Sequence, residues 1–97
     1  MIIKFESQEL EELYILGSSR KYSKEIIDSY IKKVTIIQEA ESEKDLRNFK
    51  SLHFEKLKGK DNIYSIRLNK QYRLIISLQK DLSIKIVLIK EISKHYE

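Results

Sequence analysis

The spacing of apolar residues changes once along this 97-residue chain, near Ser51. Before that point, apolar side chains recur every three or four residues, which is the spacing of amphipathic helices. After it, residues such as Tyr64, Ile66 and Leu68 alternate with polar ones, as in a half-buried strand. A helical stripe and a sheet face each need an apolar partner. The change of period therefore predicts an α+β fold, with helices laid on one face of a sheet.

The first half contains a β-like run, residues 1–5, followed by helical patterns. Ser7 and Gly17 are placed to begin and end a first helix, and Ser23 begins a longer one. The apolar stripe of this second helix is Ile26, Ile27, Tyr30, Ile31, Val34 and Ile37. Its opposite, solvated face is predicted to carry Lys24, Asp28, Lys32 and Lys33. A pattern similar to a capping box, residues 42–45, predicts a short helical turn ending near Phe49.

The second half reads as strands joined by polar turns. Residues 64–68 and 72–78 alternate between apolar and polar, with Asn69-Lys70 as the predicted hairpin turn. Ile75 and Ile76 are adjacent and both apolar, which predicts a central strand covered on both faces. A second turn is expected at Lys80-Asp81, followed by a central strand over residues 84–89 and a charged tail over 91–97. In total we expect an N-terminal strand and two helices packed on an antiparallel sheet of about four to five strands.

Length and composition narrow the class of protein. We expect one domain, residues 1–97, because a chain of this size has room for a single core. The absence of cysteine excludes disulfides, thiolate metal sites and a cysteine nucleophile. With His53 and His95 as the only histidines, no metal site is expected. The sequence contains no apolar run of membrane-spanning length and no signal-peptide layout, so we expect a cytoplasmic protein.

The positive charge is concentrated in the second half. The first 50 residues carry 9 lysines and arginines against 10 acids, whereas residues 51–97 carry 10 against 5. Within residues 52–74, Arg67 and Arg73 stand inside β-forming runs. A guanidinium there requires either solvent or an anionic partner. This basic sheet region favours a polyanion such as nucleic acid, with phosphate as the group bound.

Four spaced motifs carry a family resemblance. They are Leu-Lys-Gly at residues 57–59, Tyr-Ser-Ile-Arg at 64–67, Asn-x-Gln-Tyr-Arg at 69–73 and His-Tyr at 95–96. Together with the β-α-α-β-β-β order, this set resembles the RelE/ParE superfamily of bacterial toxins. The similarity covers almost the whole chain and is greatest to the HigB-type branch, the killer proteins of plasmid maintenance systems.

The resemblance implies a toxin of a type II toxin-antitoxin system that cleaves mRNA in the ribosomal A site and so blocks translation. It also implies contact with ribosomal RNA, no cofactor or metal, and neutralisation by a HigA-like helix-turn-helix antitoxin. In such a reaction the substrate's own 2′-OH attacks the adjacent phosphate, which leaves a 2′,3′-cyclic phosphate. The reaction needs a base, an acid and cations around the phosphorane-like transition state.

Arginine is the residue type best suited to the transition-state phosphate, because its fork binds two oxygens and it stays ionised. Arg73 and Arg67 are therefore the predicted phosphate-binding catalytic residues. Lys58 matches the lysine of the family's Leu-Lys-Gly motif and is predicted to contact RNA. Lys56, two residues earlier and so on the same strand face, is a second predicted RNA contact.

The residues predicted to transfer protons lie near the C-terminal end of the chain, at His95 and Tyr96. His95 exchanges a proton near neutral pH, and Tyr96 can donate one, orient the 2′-OH or stack on a base. Many family members end in Asp-Tyr-His, whereas here the histidine precedes the tyrosine. His53 is a further candidate for RNA contact, since the family's histidine before Leu-Lys-Gly is replaced here by Glu55. The base therefore comes from His95 and Tyr96 or, as the alternative, from His53 or Glu55.

Two other functions remain open from the sequence. A ParE-like relative would keep the fold but inhibit DNA gyrase through protein contacts. A noncatalytic domain would only bind its antitoxin. Both alternatives predict that no mRNA is cut.

Overall fold

A computed structural model of the protein describes residues 1–81 and 84–94. Its strands are β1 (Ile2–Phe5), β2 (Glu55–Lys56), β3 (Ile63–Arg67), β4 (Tyr72–Asp81) and β5 (Ile84–Lys94). Its helices are α1 (Gln8–Leu16), α2 (Lys24–Glu39) and α3 (Glu43–Asn48), and a 3₁₀ turn spans Lys50–Leu52. The predicted α+β class is confirmed.

The five strands form one sheet in the order β1-β5-β4-β3-β2. Neighbours pair antiparallel, except that β1 runs parallel to β5, with Ile3 opposite Val87. β4 is the middle strand and β5 is paired on both sides, so both predicted central strands are confirmed as central. The expected cover on both faces of β4 is wrong, because Ile75 is half-buried and lines a cleft on the face away from the helices. The parallel pairing of β1 is possible because the helices carry the chain back across the sheet before β2 begins.

The predicted helix boundaries are confirmed by their capping bonds. The hydroxyl of Ser7 accepts from the backbone N–H of Leu10 at 3.2 Å, and Ser23 caps α2 in the same way. Gly17 follows α1 with a φ of 67° and donates its N–H to the carbonyl of Leu13 at 3.0 Å. This left-handed conformation strains any residue with a side chain, which explains why the first helix ends at a glycine.

The short helix α3 is capped from both sides of its first turn. The hydroxyl of Ser42 accepts from the backbone N–H of Asp45 at 3.3 Å. The Asp45 carboxylate accepts from the N–H of Glu41 at 2.9 Å, one residue before the partner expected in a capping box. These bonds fix the connection between α2 and the 3₁₀ turn.

The core lies between the helices and one face of the sheet. Its fully buried side chains include Tyr30, Val34 and Ile37 from α2 and Ile66, Leu74, Ile76, Val87 and Ile89 from the strands. The Tyr30 hydroxyl donates to the carbonyl of Leu10 at 2.7 Å and so ties α2 to α1. Burial raises the pKa of Tyr30. No helix within the described ranges is long and apolar enough to cross a membrane.

Lys33 is a correction to the predicted solvated face of α2. Its exposed fraction is only 9%, because it lies three residues after Tyr30 and four before Ile37, at the edge of the buried stripe. Its ammonium donates to the carbonyl of Ser51 at 3.4 Å. Burial, and then the charge of Lys32, lowers the pKa of Lys33.

The last two strands are longer than predicted. The expected turn at Lys80-Asp81 is wrong, because these residues continue β4 and pair with Lys85 and Ile84. The expected tail is also wrong over residues 91–94, which continue β5 and pair with the first residues of β4. Polar residues can extend a strand whose second face is not covered by helices, so their polarity did not mark the strand end.

Candidate functional site

The two faces of the sheet have different surroundings. Alternation along β4 turns Leu74 and Ile76 toward the helices and turns Arg73 and Ile75 to the other face. That second face lines a cleft of about 660 Å³. We call it the open face.

The cleft on the open face is predominantly basic. Its lining residues are Leu57, Lys60, Ile63, Ser65, Arg73, Ile75, Lys90, Glu91, Ser93 and Lys94. Among them are four cationic side chains and one carboxylate. No group of three or more His, Cys, Asp or Glu residues in the described ranges is arranged to hold a metal ion. The cleft is thus suited to an anion with several charges.

Arg73 lines this cleft from β4, the middle strand of the sheet. One of its guanidinium nitrogens, Nη1, is buried and has no hydrogen-bond partner among the described residues. A buried charged donor without a partner costs folding free energy, about 1–3 kcal/mol or more. An arginine at this position is therefore better explained by an anionic ligand than by packing.

Arg67 lies directly opposite Arg73 across the β3–β4 hairpin. The backbone N–H of Leu68 donates to the carbonyl of Tyr72 at 2.9 Å. The adjacent Arg67–Arg73 pair is consequently of the non-hydrogen-bonded type, in which the Cα atoms stand about 4.5 Å apart. Like charges placed directly opposite each other destabilise a sheet, so this pair also calls for an anion.

The side chain of Arg67 nevertheless leaves the cleft. Its Nε donates to the carbonyl of Asn69 at 3.3 Å, and it lines a shallow depression beside the hairpin turn with Lys70 and Gln71. Arg73 faces the cleft and Arg67 the hairpin end. The structure does not bring the two predicted phosphate-binding arginines into one lining.

The two predicted RNA-binding lysines do not line the cleft. Lys56 pairs with Tyr64, whose side chain faces the core. Lys56 therefore lies on the helix-covered side of the sheet and not on the open face. Lys58 does not share a strand with it, because β2 ends at Lys56 and a turn with Gly59 at a φ of 73° follows. Lys60, which was not predicted from the sequence, lines the cleft instead. Because of the turn at Gly59, the lysine that lines the cleft is Lys60 and not Lys58.

His53 does not have the strand position expected for it. It is exposed, ends the 3₁₀ turn and has a φ of 46°, so the alternation of β2 does not extend back to it. Glu55 begins β2 opposite Ser65 and therefore belongs to the open face. The predicted acid-base residues His95 and Tyr96 lie outside the described residues.

A β-bulge shapes the far side of the cleft. Ile75 pairs with Glu91 and Ile76 with Ile89, so Lys90 is an extra residue in β5. Lys90 and Glu91 both line the cleft although they are adjacent in sequence. Strict alternation would have placed them on opposite faces. The sequence contains no clear signal of this bulge, so Glu91 could not be predicted to line the cleft.

Comparison with known proteins identifies a family and a similar fold. A family model described as the RelE-like toxin of type II toxin-antitoxin system HigB matches residues 3–88. The fold is similar to a solved structure of the YoeB/ParE toxin from Agrobacterium tumefaciens, with a TM-score of 0.59 and 13% sequence identity. That alignment covers 99% of this chain and 100% of the other. No curated protein sequence matches significantly.

Proposed function

Because the chain belongs to the HigB-like family of RelE-like toxins from type II toxin-antitoxin systems, we propose that it is an endoribonuclease that cuts mRNA in the ribosomal A site. RelE-like toxins are generally endoribonucleases. The observation that carries the proposal is Arg73, a strand arginine in a basic cleft with a buried, unpartnered guanidinium nitrogen. A phosphodiester bound in the cleft would give this guanidinium an anionic partner.

The proposed reaction is attack by a ribose 2′-oxygen on the adjacent phosphorus. The 2′-O–P bond forms as the P–O5′ bond breaks, giving a 2′,3′-cyclic phosphate and a 5′-OH. Negative charge builds up on the non-bridging oxygens during this step. Arg73 is proposed to stabilise that charge with preorganised donors, an effect worth about 10²–10³ in rate for one donor. His95 and Tyr96 remain the proposed groups for protonating the leaving oxygen.

The lysines of the cleft are proposed to hold the RNA backbone on either side of the cut. Lys60 lies in the loop between β2 and β3, and Lys90 and Lys94 lie on β5, so the three surround Arg73. Backbone phosphate contacts fix the position of a strand without reading its sequence. On the ribosome, the same positive charge would favour ribosomal RNA.

Membership of the family implies an antitoxin partner. We propose a HigA-like helix-turn-helix protein for this role. We further propose that residues 1–97 act as one toxin domain in the cytoplasm, where its ribosomal target is found.

The test is a map of mRNA 5′ ends after brief induction of the toxin. Wild type should create new ends within translated codons, and Arg73→Ala should remove them. Arg20→Ala is the matched control, because Arg20 is exposed in the α1–α2 loop and should leave the map unchanged. Identical maps for wild type and Arg73→Ala would contradict the mechanism. Growth arrest without cuts but with gyrase inhibition would instead indicate a ParE-like function.

A further inference from the structure

We propose that Glu91 is the base that accepts the 2′-OH proton in the cleavage step. The inference rests on the proposed endoribonuclease function and adds a residue to its site. It starts from the β-bulge, since the carboxylate reaches the cleft only because of the extra residue Lys90. Bulges are common beside active sites, where they redirect a side chain.

The bulge changes the sheet face to which each later side chain of β5 points. Ile89 packs in the core and Ile92 against it, three residues apart, whereas an unbroken strand would turn them to opposite faces. The extra residue restores Ile92 to the core side and leaves Lys90 and Glu91 together on the open face. The irregularity thus places a cation and a carboxylate side by side in the cleft.

The register puts Glu91 beside Arg73. Arg73 pairs with Ser93 and Ile75 with Glu91, so Arg73 and Glu91 are diagonal neighbours across β4 and β5. Diagonal neighbours on one face stand about 7–8 Å apart, within reach of two long side chains. Arginine at the phosphate and glutamate at the neighbouring 2′-OH fit this spacing, because the two groups are adjacent in an RNA backbone.

Of the two consecutive residues Lys90 and Glu91, only Lys90 forms an ion pair within the described ranges. The Lys90 ammonium forms an ion pair with Glu6 at 3.0 Å. Glu91 is exposed and forms no ion pair with any residue in the described ranges. Although Arg73 is its diagonal neighbour, the two do not pair, so both remain available to a substrate.

Glu91 is also the only carboxylate among the described residues that line the cleft. Glu55 belongs to the same face and the same cross-strand row as Glu91, but it lies on β2, two strands away from Arg73 on β4. Two strand spacings are about 10 Å before the diagonal offset is added, whereas Glu91 is one strand from Arg73 and so is better placed to share a phosphodiester linkage with it. Position therefore favours Glu91 over Glu55.

The chemical step balances with this assignment. The Glu91 carboxylate takes the proton of the 2′-OH, the 2′-oxygen bonds to phosphorus, and the P–O5′ electron pair leaves with O5′. That oxygen is then protonated by an acid or by water, and Glu91 returns its proton to solvent. No oxidant or metal takes part in these transfers.

The test compares wild type, Glu91→Gln, Glu91→Asp and Glu55→Gln on ribosome-bound mRNA under single-turnover conditions. Glu91→Gln should lower the cleavage rate about 10²–10⁴-fold, the usual contribution of a positioned base. Glu91→Asp should recover part of it, and Glu55→Gln should stay near wild type. Glu11→Gln, an exposed change on α1, is the matched control.

The dependence of the rate on pH separates a base from a merely structural residue. A base must be ionised, so the wild-type rate should rise with pH on the acidic limb, and Glu91→Gln should lose that limb. The charged groups around Glu91 are Arg73, Lys60, Lys90 with its partner Glu6, and Lys94, and these are unchanged in the variant. Ribosome binding should also stay unchanged.

An unchanged rate and pH profile in Glu91→Gln would overturn this inference and leave the proposed function intact. If Glu55→Gln instead lost the acidic limb, the base would be Glu55. If wild type produced no cuts, the proposed function and this inference would both fail. A thermal unfolding midpoint like that of wild type confirms that the exposed substitution leaves the fold intact.

Discussion

Ile75 and Ile76 are adjacent on the central strand, yet they belong to two regions with opposite requirements. Ile76 faces the helices and is fully buried, whereas Ile75 is half-buried and lines the cleft. The helix-covered face is almost entirely apolar, and its polar groups have partners, as the Tyr30 hydroxyl does. That face determines the fold.

The open face contains features that work against stability. Two arginines stand opposite each other, one guanidinium nitrogen is buried without a described partner, and a bulge interrupts β5. The like-charge pair and the unpartnered nitrogen each cost free energy when no ligand is bound. Their occurrence together on one face, beside a basic cleft, indicates that this face is adapted to a ligand.

The largest expected effect is on stability and separates the two isoleucines. Ile76→Ala should lower the free energy of unfolding by about 2–5 kcal/mol, because it leaves a cavity in the core. Ile75→Ala should cost clearly less, because its side chain borders the cleft. Urea denaturation of both variants measures the difference. Equal losses would show that the open face is as tightly packed as the core.

The next effect is a loss of activity, and it is expected from a substitution on the open face and not in the core. Arg73→Ala should slow mRNA cleavage about 10²–10³-fold through loss of transition-state stabilisation. Arg73→Lys should recover little, because an ammonium lacks the two-pronged geometry of guanidinium. Arg73→Ala should unfold at or above the wild-type urea midpoint, since it removes both the unpartnered buried nitrogen and the like-charge pair. A large loss of stability in Arg73→Ala would mean that the arginine is structural.

A smaller effect tests the polar contact inside the core. Tyr30→Phe should cost about 1–3 kcal/mol, because the Leu10 carbonyl loses its buried donor. The pKa of Tyr30 is raised in the folded state, so above about pH 10 the unfolded chain loses this proton while the folded one retains it. Wild-type stability should therefore fall as pH rises above 10, and Tyr30→Phe should lack this component of the decline. Parallel curves for the two proteins would contradict the burial argument.

The smallest effect concerns the second arginine. Arg67→Gln should raise stability by about 0.2–1 kcal/mol by removing the like-charge pair, partly offset by loss of the bond to Asn69. It should slow cleavage much less than Arg73→Ala, because its side chain points to the hairpin end. Paired unfolding and cleavage measurements test both parts. Equal losses of activity at the two arginines would place Arg67 in the cleft during catalysis.

The helix-covered half of the molecule could be predicted well from the sequence. Ser7, Gly17 and Ser23 bound their helices through local hydrogen bonds, so a few adjacent residues contain the information. Lys33 was misplaced because helical spacing gives the centre of an apolar stripe more reliably than its edge. Its long side chain lets the charge reach the carbonyl of Ser51 while the stem is buried.

The open face could be predicted only in part. Arg73 stood out because arginine is unusual inside a strand pattern. The positions of Lys60 and Glu91 in the cleft depend on a turn and on a bulge, respectively. Both are set by pairing between strands, which the local spacing of residues does not reveal. His53 was assigned to a strand that begins only at Glu55. The resemblance to RelE-like toxins identified the family, which the family match to residues 3–88 confirms.

The central claim is that RNA binds the open face and leaves the helix-covered face untouched. The most direct measurement follows isoleucine methyl groups by NMR while a short 2′-O-methylated RNA, which cannot be cleaved, is added. The methyl signals of Ile63 and Ile75, which line the cleft, should shift, and those of the buried Ile66 and Ile76 should stay nearly constant. Shifts in Ile66 and Ile76, or in the exposed Ile15 of α1, without shifts in Ile63 and Ile75 would contradict the account.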